Sequence, residues 1–239
     1  PQEVIAFVNE AINFVLQNNN TPESIEEIMN ILEILEDGNI NNVPVLISPN
    51  NPITDMADYL SCFNTSQGAE ITIYADQPKA GSHNLFSTTD GVGHAFISIK
   101  QGNNIASLGF YPQCSPCSLS PNPATLNPVD FLSVQGVFGN DEGHSYDVSF
   151  SIPINSTSLS NLINEIISVA GSNPLYNLGS QNCTDLAILF FESQTNFNIP
   201  SCESPSPWSG QTPGTLGEVI RDLQPPSGGT KNVNGGTSP

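Results

Sequence analysis

The chain has 239 residues, of which 37% are apolar, and four Lys and Arg face 23 Asp and Glu, giving a formal net charge of -19. This apolar content is enough to fill one good-sized core, so we expect a globular protein. The negative charge repels phosphate backbones and anionic lipid headgroups at long range, which argues against a nucleic-acid partner.

Three further features of the sequence bear on location. Charged residues make up only 11% of the chain, and a surface solvated mainly by neutral polar groups favours an exported protein. The sequence contains no run of about 18 apolar residues, so it predicts no transmembrane helix. The first residues lack the basic-then-apolar order of a signal peptide. We therefore expect a protein that is secreted or delivered out of the producing cell. The sequence indicates no particular export route.

The first 65 residues are predicted to form a helical region. Apolar residues at helical spacing predict one helix over 4–17, and a start at Thr21 opens a second helix through Leu35. These two helices form a hairpin, and a third, short helix is expected over about 53–63. Structural support is the simplest role for this region, and a propeptide-like or partner-binding role is the alternative.

The periodicity changes to that of strands at residue 70. Apolar and polar residues alternate over 70–76, and two further strands, 92–100 and 105–111, flank a turn that contains Gly102, which predicts a β-hairpin. Residues 113–143 are rich in Pro, Ser and Asn and are predicted to be a long surface excursion. A further strand is predicted at 146–154.

Three helices are predicted in the last third of the chain. They cover about 159–170, 183–193 and a short segment that begins at Thr215 with the Thr-x-x-Glu form of a capping box. Residues 225–239 are almost free of apolar side chains and are predicted to be a disordered, flexible tail. The predicted fold class is therefore α+β, with an antiparallel sheet packed against helices in a domain at 66–224.

The five cysteines leave at least one thiol unpaired if the others form disulfides within the chain. Cys183 is our candidate for that thiol. Cys114 and Cys117 form a CxxC pair that suits a local disulfide better than half of a zinc site, because a second CxxC or a close histidine pair is missing. By elimination, Cys62 then pairs with Cys202. We predict no metal and no cofactor.

Cys183 is expected in the first turn of its helix. Asn182 is a good N-cap residue, and Asp185 follows three residues later. Free backbone N–H groups and the helix dipole favour a negatively charged sulfur at this position. The excess of carboxylates acts in the opposite direction, so a thiolate here requires an imidazolium within hydrogen-bond reach.

His94 is the preferred partner among the three histidines. It begins a strand whose other residues are apolar or small, which fixes the direction of its ring and excludes water. His83 lies in a predicted loop, and His144 follows acidic residues at the entrance of a strand. A thiol at the start of a helix and a histidine on a strand are the two halves of a cysteine nucleophile, provided that the fold brings them together.

The order of the two segments resembles that of a known family. The sequence Gly-His-Ala-Phe-Ile-Ser-Ile at 93–99, followed by a hairpin and then by Asn-Cys-Thr-Asp at 182–185, is similar to the circularly permuted branch of the papain-like NlpC/P60 superfamily. That branch includes the lecithin:retinol acyltransferase-like enzymes, and in it the histidine strand precedes the cysteine helix. The resemblance covers about residues 70–200 and extends to bacterial domains, some of them attached to secretion-system components.

The resemblance implies a cysteine hydrolase with Cys183 as nucleophile and His94 as general base. The third catalytic group of the family lies on the strand after the histidine strand, which makes Ser107 the nearest candidate. A serine orients an imidazole more weakly than the His, Asn or Gln usual in the family. The alternatives for this position are Tyr111, Gln113 and His144.

The implied reaction is acyl transfer to sulfur. His94 accepts the thiol proton and then protonates the leaving group, before water attacks the thioester. The backbone N–H of Cys183 is the expected oxyanion donor, and Gln181 or Asn182 adds a side-chain donor. The expected substrate is a peptide or a cell-wall-type amide, and a secretion-system or immunity protein is the expected partner.

Two other functions remain open at this stage. A lipid acyltransferase or phospholipase would use the same dyad, but it needs an apolar or basic docking surface that the sequence does not show. A non-catalytic binding or adaptor module would keep Cys183 as a small core residue, because it shares one apolar helical stripe with three neighbours. Those neighbours are Leu186, Ala187 and Phe190.

Overall fold

A computed structural model of the chain describes residues 49–84, 91–113, 133–203 and 210–239. The helices in these ranges are α1 (Met56–Tyr59), α2 (Ser156–Gly171), α3 (Cys183–Thr195) and α4 (Pro213–Asp222). The strands are β1 (Ala69–Asp76), β2 (His94–Gln101), β3 (Asn104–Pro112), β4 (Val134–Asn140), β5 (Ser145–Tyr146), β6 (Val148–Ile154), β7 (Leu175–Tyr176), β8 (Thr230–Asn232) and β9 (Gly236–Thr237). The predicted helices at 4–17 and 21–35 lie outside the described residues.

Seven of the strands form one antiparallel sheet in the order β7-β4-β3-β2-β1-β6-β8, and β5 pairs with β9. The predicted hairpin is confirmed, because β2 and β3 are adjacent and Gln101 pairs with Asn104 across the turn. The α+β class with an antiparallel sheet is therefore confirmed. None of the described helices combines the length and the apolar character needed to cross a membrane.

The two faces of the sheet differ in character, as period-2 alternation requires. On β1, Ile71 and Ile73 belong to the apolar core, whereas the intervening Thr72 bonds Ser151 through their hydroxyl oxygens at 2.8 Å. On β2 the core residues are Ala95, Ile97 and Ile99. His94 therefore starts β2 on the face opposite to its apolar residues.

The helices cover the sheet and close the core. α3 packs against β1, β2, β3, β6 and α2, and α4 packs against β1 and β6. Phe191 of α3 and Leu162 of α2 are fully buried by this packing. Burial of one such side chain contributes about 1.5–3 kcal/mol to the stability of the fold. α1 contacts α2, and its residue Met56 belongs to the same core.

β4 corrects the prediction of a surface excursion over 113–143. The strand contains Gly136 and Gly139, and glycine has a low strand propensity. The sequence of β4 therefore lacks the alternating apolar pattern that predicts a strand. Both glycines are required by the packing: a Cβ at Gly136 would overlap the Phe110 ring, and one at Gly139 would overlap Pro49. Residues 114–132 of the predicted excursion lie outside the described residues.

The carboxyl-terminal part of the chain departs from the prediction in two ways. β8 pairs with β6 and β9 pairs with β5, so residues 230–237 are ordered rather than a disordered tail. Their order comes from backbone hydrogen bonds, which need few apolar side chains. α4 also begins earlier than predicted, because Thr212 is its N-cap and Pro213 its first residue.

The predicted disulfide between Cys62 and Cys202 is wrong. Both thiols are free, with Cys62 exposed and Cys202 buried. The sulfur of Cys202 donates instead to Oε1 of Gln211 at 3.1 Å. Cys114 and Cys117 lie outside the described residues, so their predicted pairing stays a prediction.

Candidate active site

Cys183 is the first residue of α3, as predicted. The side chain of the N-cap residue Asn182 accepts hydrogen bonds from the N–H groups of Thr184 and Asp185, and the Asp185 carboxylate accepts the N–H of Asn182 at 2.9 Å. This reciprocal capping box fixes the point at which the helix begins. The sulfur therefore lies at the positive end of the helix dipole.

The two residues before Cys183 have structural contacts of their own. The side-chain NH₂ of Asn182 donates to the carbonyls of Leu178 and Gln211 at 2.8 and 2.9 Å, while its oxygen caps α3. Its amide is thus fully engaged in holding the loop against the helix. Gln181 exchanges backbone hydrogen bonds with Asn177, and its side chain is half-buried.

Gly93 sets the direction in which the chain enters β2. Its φ of 73° lies in the left-handed region, and a Cβ there would overlap the carbonyl oxygen of Asp76 and approach Pro78. Only glycine allows this close turn without strain. The turn places His94 at the first position of β2, opposite Asp76 in the register with β1.

The imidazole of His94 is held by a carboxylate that the sequence did not point to. Its Nε2 lies 3.0 Å from Oδ2 of Asp141, which follows β4 and is only 3% exposed. The Tyr111 hydroxyl donates to the other oxygen of the same carboxylate. Gly109 makes this approach possible, because a Cβ there would overlap both Nε2 of His94 and Oδ2 of Asp141.

Aromatic rings confine the His94 imidazole from several sides. Its centroid lies 4.4 Å from that of Tyr111, 5.6 Å from that of Phe96 and 5.2 Å from that of His144. Stacking and tilted contacts of this kind restrict ring rotation. The carboxylate and the surrounding rings together leave one orientation for the imidazole, with Nδ1 as the nitrogen available to a second partner.

That second partner is Cys183. Burial disfavours the imidazolium, but the charge and hydrogen bond of Asp141 and the hydrogen bond and charge of Cys183 outweigh it and raise the pKa of His94 from 6.5 to about 10. Burial likewise opposes the thiolate, yet the hydrogen bond and charge of His94 outweigh it. Together with the Ala95 backbone and the Thr184 side chain they lower the pKa of Cys183. Both shifts favour the charged forms of the pair, the thiolate and the imidazolium, relative to the free side chains.

Tyr176 completes the surroundings of the sulfur. This residue of β7 is 1% exposed, and its hydroxyl is within hydrogen-bond reach of both the side chain and the backbone of Cys183. Burial first, and then the charge of Cys183, raise the pKa of Tyr176 well above its ordinary value. The phenol therefore stays protonated and remains a hydrogen-bond donor near the sulfur.

Ser107 pairs with Ser98 in the register of β2 and β3, whereas a Cβ at Gly109, two positions further along β3, would meet the imidazole of His94. Its hydroxyl donates to the carbonyl of Pro239 at 3.1 Å, and its own carbonyl accepts the N–H of Asp141 at 2.9 Å. The structure thus brings Cys183, His94 and Asp141 together. Ser107 contacts the backbone of Asp141 rather than the imidazole of His94.

The three other candidates for the third position have different places. Tyr111 contacts the carboxylate that holds His94. Gln113 directly follows β3 and donates its backbone N–H to the carbonyl of Gln135 at 2.7 Å. The ring of His144 lies at a tilt beside that of His94, and its Nδ1 donates to the Ser145 carbonyl at 2.8 Å.

Asp141 was missed because β4 was missed. It directly follows that strand in the sequence Asn-Asp-Glu-Gly-His at 140–144, and a carboxylate at the end of a strand next to the histidine hairpin would have been the signal. Both the strand and its neighbour in the sheet had to be known before this carboxylate could be placed. Tyr176 gave no signal beyond its position seven residues before Cys183.

Access to the pair is narrow, since Cys183 is 4% and His94 7% exposed. A described cavity of about 400 Å³ lies elsewhere, between α1, β4 and the end of α2, and is lined by residues such as Ile53, Phe138 and Pro174. Among the described residues, no three His, Cys, Asp or Glu side chains are grouped so that they could hold a metal ion.

No family model, no curated protein and no solved structure matches this chain.

Proposed function

We propose that this protein is a cysteine hydrolase that cleaves an amide bond, as a peptidase or amidase, on a permuted papain-like fold. The observation that carries the proposal is the buried pair of Cys183 and His94, with Asp141 on the far nitrogen of the imidazole. A nucleophile that contacts a base, which in turn contacts an orienting carboxylate, is the arrangement that catalyses acyl transfer. The order of the histidine strand and the cysteine helix also supports the permuted arrangement.

The proposed reaction begins with attack of the Cys183 thiolate on the carbonyl carbon of the substrate amide. A C–S bond forms, and the carbonyl oxygen becomes an oxyanion that the backbone N–H of Cys183 and the Tyr176 hydroxyl stabilise. The imidazolium of His94 then donates its proton to the amide nitrogen, the C–N bond breaks, and the amine leaves. The acyl group remains on sulfur as a thioester.

Deacylation reverses the roles of the same groups. Neutral His94 removes a proton from water, the resulting hydroxide attacks the thioester carbonyl, and the C–S bond breaks to release the carboxylic acid. Asp141 stabilises the imidazolium that forms and keeps Nδ1 directed at the sulfur. The starting thiolate–imidazolium pair is thereby restored.

A lipid acyltransferase or phospholipase is a weaker proposal for the same dyad. In the described part of the chain, the exposed large apolar side chains are single residues on different elements. These are Ile105, Leu175, Leu189 and Val233. Docking to a lipid surface needs a continuous apolar or basic face, so soluble amides are the better-supported substrates. Export remains our proposal for location.

A non-catalytic binding module would use Cys183 only as a core residue. A thiol that serves only for packing needs no imidazolium or helix dipole beside it, and it stays protonated at neutral pH. The environment of Cys183 instead lowers its pKa. This difference in protonation is what separates the two functions experimentally.

The test measures the rate at which iodoacetamide alkylates each cysteine at neutral pH, by mass spectrometry of the peptides. We expect Cys183 to react at least about tenfold faster than the exposed Cys62, because the thiolate is the nucleophile. His94→Ala should remove this advantage, and buried Cys202 should stay unlabelled in a folded sample. Equal, slow labelling of Cys183 in both forms would favour the binding module.

Turnover then identifies the substrate class. The wild-type protein and Cys183→Ala are each incubated with soluble peptide mixtures, with cell-wall fragments and with dispersed phospholipid. Alanine is close to cysteine in size, so the variant removes the thiol with little change in packing. Release of new amino groups only by the wild type supports amide hydrolysis. Release of fatty acid from the lipid alone would assign the dyad to lipid chemistry.

A further inference from the structure

The ordered segment 230–239 lies against the turn that carries Asp141. β8 anchors the segment to β6, and β9 pairs with β5 so that Thr237 faces Ser145. The next residue, Ser238, is 5% exposed although it follows an exposed threonine. A buried serine near the end of an otherwise polar segment needs hydrogen-bond partners.

All the partners of Ser238 belong to the turn 141–144. Its hydroxyl donates to the carbonyl of Asp141 and accepts the N–H of His144 at 3.0 Å. Its backbone N–H donates to the carbonyl of His144 at 2.8 Å, and its carbonyl accepts the N–H of Gly143 at 3.2 Å. One residue thus makes four hydrogen bonds to three residues of a single turn.

The turn has a second set of supports on its other side. The N–H of Asp141 donates to the carbonyl of Ser107 at 2.9 Å, and the Ser107 hydroxyl donates to Pro239 at 3.1 Å. The Tyr59 hydroxyl of α1 donates to that same Ser107 carbonyl at 2.9 Å. Ser107 and Ser238 therefore hold the backbone of Asp141 between them, through its N–H and its carbonyl.

We propose that Ser238 is a positioning residue for Asp141, and that segment 230–239 is a built-in part of the active-site support. This inference rests on the proposed function, because it concerns the carboxylate that orients His94. The side chain of Asp141 reaches Nε2 of His94 only if its backbone stays where Ser107 and Ser238 hold it. Displacement of the segment frees the turn and separates the carboxylate from the imidazole.

The chemistry of the displacement follows from the two states of the turn. With Asp141 in place, the pKa of His94 is raised and that of Cys183 is lowered, so the imidazolium and the thiolate are both favoured. When the carboxylate moves away, burial again disfavours both charges, so a proton returns from the imidazole to the sulfur. The nucleophile is then a neutral thiol. Release of segment 230–239 therefore lowers the reactivity of Cys183 through Asp141 and His94.

The test uses the full chain with Ser238→Ala, and Ser227→Ala as the matched control, since Ser227 is an exposed serine in the same terminal region. The measurement is the pH profile of Cys183 alkylation, with Cys62 as internal reference, together with the pKa of His94 from NMR titration. We expect Ser238→Ala to lower the His94 pKa and to slow Cys183 alkylation at neutral pH about tenfold, as for a loosened catalytic geometry. The control should match the wild type within about twofold.

A chain that ends at Gly235 is the stronger variant, because it removes β9 and Ser238 together. It should lose more Cys183 reactivity than Ser238→Ala while Cys202 remains protected, which shows that the core is still folded. An unchanged His94 pKa and an unchanged Cys183 profile in both variants would overturn the positioning role. Loss of protection at Cys202 in step with the loss of reactivity would also overturn it, in favour of general unfolding.

The two proposals fail in different ways. If wild-type Cys183 reacts no faster than Cys62 and no substrate is turned over, the proposed function fails, and the His94 pKa alone decides the positioning role. If the wild type is active, and if Ser238→Ala and the chain that ends at Gly235 both match its His94 pKa and Cys183 reactivity, the positioning role fails and the proposed function stands.

Discussion

Nε2 of His94 lies 3.0 Å from Oδ2 of Asp141, although 47 residues separate them in the chain. The approach passes over Gly109, the position on β3 at which a side chain would fill the space between them. The carboxylate that directly follows β4 thus takes the orienting role for which the family resemblance suggested Ser107 of β3. The consequence is a charged orienting group rather than a hydroxyl, and it predicts a strong dependence of reactivity on Asp141.

Replacement of Asp141 by Asn should test that dependence. The amide has nearly the size of the carboxylate but no charge, so it no longer stabilises the imidazolium of His94. We expect kcat/KM to fall at least about 100-fold and the His94 pKa to fall. Ser107→Ala is the matched comparison, with an effect on kcat/KM within about threefold. A larger loss in Ser107→Ala than in Asp141→Asn would return the third position to Ser107.

Gly109→Ala should separate the imidazole from its carboxylate without changing either residue. The new methyl group would overlap Nε2 of His94 and Oδ2 of Asp141, so one of them must move. We expect a loss of about 100-fold in kcat/KM, in line with the cost of misplacing catalytic groups. Gly171→Ala at the end of α2 is the control, because a Cβ there meets open space. Equal activity of the two variants would contradict the assigned geometry.

The pH dependence of kcat/KM should be bell-shaped, with an acid limb below the ordinary pKa of a thiol and an alkaline limb at about pH 10. Activity rises as pH increases through the lowered pKa of Cys183, because the thiolate forms, and it falls as pH passes about 10, where His94 loses its proton. The titratable groups that face the imidazole are Cys183, Asp141, Tyr111 and His144, and the charges of Asp141 and Cys183 raise its pKa. Steady-state rates measured from about pH 4 to about pH 11 give both limbs. A profile centred on the ordinary histidine pKa, with no alkaline extension, would contradict the ion pair.

Tyr176→Phe should lower kcat more than it changes KM. The variant keeps the buried ring but removes the hydroxyl near the sulfur and backbone of Cys183, where the proposed mechanism places the oxyanion. Loss of one such donor typically costs about 10²–10³ in kcat. Tyr74→Phe is the control, since it also removes a buried tyrosine hydroxyl, one that bonds Ser98 at 2.9 Å. If Tyr176→Phe retains wild-type kcat, the oxyanion is stabilised without this hydroxyl.

Local patterns in the sequence determined where the two central residues of the site lie. A capping residue acts within one helical turn, so Asn182 and Asp185 were enough to place Cys183 at the start of α3. Alternation and a turn sequence act between neighbours in the chain, so the β2–β3 hairpin and the position of His94 could be predicted as well. The α+β class with an antiparallel sheet followed from the same signals.

Only the tertiary structure decided which groups surround those two residues. Asp141 meets His94 because β4 lies next to β3 in the sheet, and the glycines that allow this packing weaken the strand pattern that would have revealed it. The order of segment 230–239 comes from backbone hydrogen bonds to β5, β6 and the turn of Asp141, and such bonds leave no mark on side-chain periodicity. Contacts between distant segments depend on strand order and on space left by missing side chains, and neither can be read from residues that are adjacent in sequence.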